Sequence, residues 1–213
     1  MSNDRRRPLF ARIYARMSAR MEERGMGALR RELLSGVAGR VVEVGAGNGL
    51  NFAHYPSAVT ELIAVEPEPY LRSVAQQAAG HAPVPVTVIA GSADHLPLPD
   101  ASVDAGVVSL VLCSVEDQAT ALAELRRVIR PGGKLHFLEH VRADTARLRR
   151  LQELAQATVW PLFGGGCHPA RDTLGSITAA GFQVEGVRRF RFPEARIAVP
   201  TDPHILGAAV RSD

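Results

Sequence analysis

The order of apolar runs and amphipathic segments predicts an α/β fold. It is a doubly wound, Rossmann-like sheet of seven strands, with five parallel strands and then a hairpin whose last strand runs antiparallel. Helices cover both faces, and an N-terminal helical lid precedes the sheet. Three observations carry this. Val41, Val42 and Val44 form a β-branched run that leads directly into Gly45, Gly47 and Gly49, the strand and glycine turn that open such a sheet. Strand and helix patterns then alternate, as parallel crossovers require. The final two strands have no helix between them.

In chain order, residues 5–35 read as helix, because Phe10, Ile13, Tyr14, Met17 and Met21 recur at spacings of three and four with arginines between them. Gly36 and Gly39 end that pattern. Strands are expected at 40–45, 61–66, 85–90, 103–109 and 134–140, with a short helical segment at 50–54 after the glycines. Helices are expected at 67–79, 116–130, 142–159 and 170–180. Strands 182–189 and 204–211 close the chain, joined by a connection containing three prolines. Residues 1–36 thus form a helical extension and 37–213 the main domain. The helix near 8–24 has three readings: a lid with Tyr14 and Met17 pointing inward, a peripheral membrane contact made through its arginines, or ordinary core.

Composition narrows the function. The 213 residues are 46% hydrophobic, enough for a sizeable core, and carry a formal net charge of only +3. That charge and an aromatic content of 5% argue against a nucleic-acid platform. Cys113 and Cys167 make no disulfide framework, and no apolar run reaches the ~18 residues of a spanning helix. No apolar segment follows the basic N-terminus, so the expected location is cytoplasmic.

In a doubly wound sheet the ligand lies beyond the carboxyl ends of the strands. Glu66 ends the second strand about twenty residues after the glycines, where an acid can accept bonds from two ribose hydroxyls. That position serves a nicotinamide dinucleotide or S-adenosylmethionine equally. The spacing G-x-G-x-G, unlike G-x-G-x-x-G, is not the dinucleotide fingerprint. Glu43 just before it opposes a pyrophosphate but tolerates a ligand carrying an ammonium and a sulfonium.

The stretches "VVEVGAGNG", "VEPEP", "GSADHLPLPDASVDAGV" and "LRRVIRPGGKLHFLEHV", in this order over residues 40–141, resemble the class I S-adenosylmethionine-dependent methyltransferases (methyltransferase type 11 domain). "GNGLNFAHYP", "LVLCSVED", "LEHV", "LFGGGCHPARDT" and "PHILGAAV" are similar to the methyltransferase-like thiol methyltransferases of animals. Those proteins carry an apolar membrane anchor where this chain has an arginine-rich helix. The resemblance implies S-adenosylmethionine as cofactor and S-adenosylhomocysteine as product. It also implies that Gly45, Gly47, Asn48 and Gly49, with Glu43, Ala46 and Asn51 in the same stretch, line the methionine part. Glu66 would hold the ribose, Pro67 would pack on the adenine, Ser92, Ala93 and Asp94 would meet its edge, and Leu110 would lie beside the sulfonium.

The expected acceptor is a small molecule, with a thiol suggested by the narrower resemblance. A lipid or quinone methyltransferase at a membrane surface and a nucleic-acid methyltransferase are the alternatives. The signature of amide-type base methylation is missing after the fourth strand, where "SLVL" stands. A thiol, amine or hydroxyl must lose a proton, and a positioned base is typically worth ~10²–10⁴ in rate. His140 ends the fifth strand and His204 begins the antiparallel last one, so the two should meet at the cofactor face. His168 is a third candidate, and Glu139 is a fallback. Cys113 reads as a small buried hydrophobe, and Arg171 and Asp172 as the first turn of a helix. No Cys or His spacing suggests a metal site, and none is expected.

Overall fold

The computed structural model describes residues 8–158, 166–193 and 199–213, with side chains from Ala11 onward. Its sheet has seven strands: β1 (Gly39–Val44), β2 (Val59–Val65), β3 (Val86–Ile89), β4 (Val103–Ser109), β5 (Ile129–His140), β6 (Phe182–Arg191) and β7 (Pro203–Arg211). Their order is β3-β2-β1-β4-β5-β7-β6. The first five are parallel, and β7 runs antiparallel to both of its neighbours, as expected.

Both faces of the sheet are buried, so its strands are apolar on consecutive positions. Val42, Phe137 and Ile205 contribute to one core and Val41, Leu138 and Leu206 to the other. The first core lies under α4 (Gln118–Val128) and α6 (Thr173–Ala179), which contribute Leu122, Leu125 and Ile177. The second lies under α2 (Gly27–Leu34) and α3 (Pro69–Ala79), which contribute Leu33, Leu34 and Ala75. Among the described residues the other helices are α1 (Pro8–Met21), α5 (Ala146–Ala157) and a short 3-10 turn at Phe52–His54.

Several bounds differ from expectation for local reasons. The N-terminal helix is not continuous, because Gly25 adopts φ 116° within the π-helical turn Glu22–Met26 that separates α1 from α2. Asp117 accepts hydrogen bonds from the amides of Ala119 and Thr120 and caps α4, which so begins two residues later than expected. Beyond Val128 the chain already pairs as β5, so the "RPGG" turn lies within that strand rather than before it. Thr145 and Asp172 flank the N-termini of α5 and α6, which begin later than expected; residue 159 lies outside the described residues. No helix among the described residues is long and apolar enough to cross a membrane.

Candidate active site

The glycine turn follows β1, and its path is fixed by neighbouring strands. The amides of Gly45 and Ala46 both donate to Val65 O, at 2.8 and 3.2 Å. Gly45 sits at φ 68°, and a Cβ there would come within 2.6 Å of Val111. A protein neighbour, Val111, thus accounts for the missing side chain at this glycine. Gly47, at φ 58°, is different: its missing Cβ would face the ring of Tyr14 at 3.5 Å, an ordinary contact distance. Glu66, almost fully buried, ties this turn to the end of β2. One carboxylate oxygen accepts from the Gly47 amide at 2.8 Å and the other from the Glu68 amide at 2.9 Å. Each oxygen keeps a second lone pair for a further donor. Burial pushes the Glu66 carboxyl above its usual range, opposed by these two amides.

Glu43 and Asn51 belong to a buried network beneath the turn. Glu43 accepts from Asn51 Nδ2 and from Tyr55 Oη, both at 2.8 Å. Arg30 of α2 donates to Asn51 Oδ1 at 2.7 Å and to Glu22 at 2.9 Å. Burial, more than any neighbour, lifts the Glu43 carboxyl to about 7. The sequence reading put Glu43 and Asn51 against the cofactor. The structure turns both toward protein partners, because an acid at the sheet centre must be hydrogen-bonded wherever water is excluded. Arg30, Tyr55 and Glu22 were missed. The sequence carries no distinct signal for them: Arg30 is followed by Arg31 and Glu32 within α2, and nothing local marks it as the buried one.

Helix α1 crosses this turn. Asn48 Nδ2 donates to Ser18 Oγ at 3.2 Å, and the Arg12 guanidinium lies 5.6 Å from the Tyr70 ring centroid of α3. Tyr14 faces inward as expected, and burial raises its phenol above the usual range. Met17 does not: it is 59% exposed, and Ile13 is 49% exposed. The face turned inward carries Tyr14 with the small residues Ala11 and Ser18, and Met17 points away from it.

Pro67 is half-buried at the start of the segment entering α3, and its carbonyl accepts from Arg72 at 3.1 Å. Ser92, Ala93 and Asp94 follow β3 in a turn where the Ser92 hydroxyl donates to Asp94, which is exposed. These residues lie beyond the carboxyl ends of β2 and β3, on the same edge as the glycine turn.

Residues 110–116 form the loop after β4, and a buried acid and a half-buried arginine hold it. Glu139, at 0% exposure, accepts from the amides of Val111 (2.8 Å), Leu112 (2.9 Å) and Cys113 (3.1 Å). Arg171 donates to the carbonyls of Leu112 (2.8 Å), Val115 (2.6 Å) and Glu116 (3.1 Å). Leu110 is thereby held at φ 61°, a left-handed conformation uncommon for a branched side chain, with its amide on Leu138 O at 2.7 Å. Glu139 is an anchor for this loop: three of its four lone pairs are taken by amides, and at 0% exposure the side chain is shut off from a substrate proton. Arg171 and Asp172, expected in the first turn of a helix, both precede it: Asp172 is the N-cap of α6, and Arg171 turns toward the loop.

His140 and His204 do converge. They are register partners across β5 and β7, and their ring centroids are 4.5 Å apart. His204 has its Nδ1 2.8 Å from Asp202 O, which assigns the proton to Nδ1, and its buried Nε2 has no partner among the described residues. Burial, with the adjacent His140 ring second, pushes His204 down to about 3, so it is a poor proton acceptor. His140 Nδ1 points the other way, 3.6 Å from Cys113 Sγ and 3.4 Å from Cys167 Sγ. Cys113 is therefore more than a small hydrophobe. Its thiol is raised well above the usual range by its contact with Cys167 and by burial. His168 is outside this group; its amide donates to Cys113 O at 2.7 Å and holds the following loop in place. A cavity of about 900 Å³ opens beside His204, with Val141, Leu148, Leu151, Phe190 and Pro203 among its walls. A second cavity, of about 660 Å³, lies at the amino ends of the strands beside Arg126 and Arg211, far from these groups.

Residues 42–137 match the model of the methyltransferase domain family. Human thiol S-methyltransferase TMT1B is 33% identical over 201 residues, covering 88% of this chain and 80% of that protein. The C-methyltransferase UbiE of ubiquinone and menaquinone biosynthesis from Caulobacter sp. (strain K31) is 38% identical over 105 residues, but this spans only 49% of this chain and 39% of the relative. Among solved structures, an S-adenosylmethionine-dependent methyltransferase from Thermotoga maritima superposes with a TM-score of 0.67 at 22% identity, covering 95% and 98% of the two chains. The chain belongs to the S-adenosylmethionine-dependent methyltransferases, in the family that includes human thiol S-methyltransferase TMT1B.

Proposed function

We propose that this methyltransferase transfers its methyl group to the sulfur of small, apolar thiols. The single observation that carries this reading is the identity of one third with a thiol S-methyltransferase, sustained over 88% of the chain. At that coverage it extends through the segment around Cys167, well past the cofactor-binding half that methyltransferases of all substrates share. The cavity beside His204 offers Leu148, Leu151 and Phe190 to the apolar part of an acceptor, alongside Asp144, Arg147, Arg189 and Arg191.

The residues present fit S-adenosylmethionine. The buried Glu66 carboxylate keeps lone pairs free next to a turn whose Gly47 presents bare backbone, and the exposed Asp94 offers an acceptor on the same edge. We assign the ribose to Glu66, the adenine to Pro67, Ser92, Ala93 and Asp94, and the methionine part to Gly45, Ala46, Gly47, Asn48, Gly49 and Leu110. Glu43 and Asn51 support that turn from below. When bound, the cofactor supplies a methyl group on a sulfonium, so no further activation of the donor is needed. The chain's own tasks are alignment, exclusion of water and removal of the acceptor's proton; alignment alone can contribute ~7–11 kcal/mol. In the metal-free protein His140 is the imidazole suited to the proton, since His204 is held neutral. Residues 1–36 act as a lid whose Tyr14 covers Gly47. We assign the enzyme to the cytoplasm.

The test is a panel of acceptors under one set of conditions. Aliphatic and aromatic thiols should be methylated at rates at least ten times those of matched amines, phenols and quinols. Preferential methylation of a quinol carbon would replace the thiol reading with that of the quinone enzyme, and transfer to an RNA or DNA oligonucleotide would replace it with the nucleic-acid reading.

A further inference from the structure

Three soft or borderline ligand atoms meet at one point: Cys113 Sγ, His140 Nδ1 and Cys167 Sγ all lie within 4.8 Å of one another. We propose that they form a binding site for a soft divalent cation, zinc above all, with its fourth position open to an exogenous thiolate.

The distances support it. Tetrahedral zinc with Zn–S near 2.3 Å and Zn–N near 2.0–2.1 Å has S···N edges of about 3.6 Å and an S···S edge of about 3.8 Å. The two S···N separations here are 3.6 and 3.4 Å. The charges also match. Two thiolates and a neutral imidazole cancel a divalent ion, so the loaded site carries no net charge into a region where Cys113 is wholly buried.

The surroundings are those of a ligand set. Cys113 is held by the doubly clamped loop 110–116, and His140 by the end of β5. Cys167 and His140 are only half-buried, which leaves a way in. A metal-bound imidazole donates its other ring N–H to an outer partner. With Nδ1 on the metal, the proton of His140 sits on Nε2. The ring packed against it is that of His204, whose buried Nε2 is an unfilled acceptor. The two rings, edge to face with centroids 4.5 Å apart, share no hydrogen bond in the metal-free protein.

Three protein ligands with one open position is the arrangement of catalytic rather than structural zinc. The role of the open position rests on the thiol reading; the existence of the site does not. A thiol entering from the adjoining cavity would lose its S–H bond as its sulfur binds the ion, with the proton passing to solvent. Nothing is oxidised or reduced. His140 then serves as ligand rather than base.

Cobalt(II) is the probe. Titrated under reducing conditions into the full-length chain stripped of metal and free of cofactor, it should saturate at one ion per chain. It should give the near-ultraviolet thiolate charge-transfer bands and the intense visible bands of a tetrahedral ion, and zinc should displace it. Cys113→Ser and Cys167→Ser should each abolish the charge-transfer intensity expected of two thiolates, with circular dichroism and S-adenosylhomocysteine affinity reporting that the fold survives. His140→Gln should alter the visible bands. No charge-transfer band in the wild type, or an unchanged spectrum in the double cysteine variant, overturns the site. Running the thiol panel on metal-free and zinc-loaded enzyme separates the two ideas. Equal thiol methylation without metal removes the proposed role of the open position and leaves the thiol reading intact. A cobalt spectrum as described with no thiol methylated does the reverse.

Discussion

Replacing Glu139 with glutamine distinguishes an anchor from a base. The carboxylate accepts three backbone amides from inside the protein, two through one oxygen and one through the other. Glutamine keeps the carbonyl for Val111 and Leu112 but places an NH₂ against the amide of Cys113. Two bonds drop from charge-assisted to neutral, at about 1 kcal/mol each, and one buried amide loses its partner, at about 1–3 kcal/mol. The sum is roughly 3–5 kcal/mol, a large part of the ~5–15 kcal/mol of a typical domain. For a chain of this length it corresponds to a fall in Tm of roughly 10 °C. Urea and thermal unfolding read it directly. Loss of methyl transfer with stability within 1 kcal/mol of the wild type would refute the reasoning and restore Glu139 as a group acting on substrate.

Other expectations follow from the same contacts. Glu66→Ala should weaken S-adenosylhomocysteine by about 1–3 kcal/mol by calorimetry, the scale of hydrogen bonds to a charged group; unchanged affinity would mean that the ribose is held elsewhere. Glu43, lifted from 4.5 to about 7, keeps its proton in the folded chain at pH values where the unfolded chain has released it. Its contribution to stability therefore falls as pH rises from about 4.5 to 7 and is flat above, by roughly 3 kcal/mol in all. Glu43→Gln should flatten that part of the stability–pH curve, and an unaltered slope would discount the shift. Gly45→Ala should destabilise by at least ~1 kcal/mol, because its φ of 68° disfavours a side chain and Val111 leaves no room for one; a neutral result in urea would show that the turn can relax.

The sheet was readable because its information is local. The valines of β1, the glycines at 36 and 39 that end the N-terminal helical pattern, and the missing helix before β7 each depend on a few adjacent residues. The active-site supports were not, because they depend on contacts between distant segments. Glu139 reaches residues 26 to 28 positions away, Arg171 reaches residues 55 to 59 away, and Arg30 meets Asn51 across 21. The cysteine–histidine group is the sharpest case. Cys113 and Cys167 each lie 27 positions from His140, a spacing that matches no metal motif, yet the order of the strands brings all three together. Met17 failed for another reason. Counting apolar residues located a stripe on α1, but the helix rests its small residues on the glycine turn and leaves Met17 and Ile13 outside. Gly25 could be seen, but not that it would break the helix there.

The account turns on the accepting atom. The most direct measurement follows a deuterated methyl group from labelled S-adenosylmethionine into an apolar aryl or alkyl thiol, with the product identified by mass spectrometry and by its carbon-13 shift. The account predicts a single labelled thioether, formed in proportion to S-adenosylhomocysteine and lost together with cofactor binding in Glu66→Ala. Cofactor consumed with the label on oxygen, nitrogen or carbon, and none on sulfur, would contradict it.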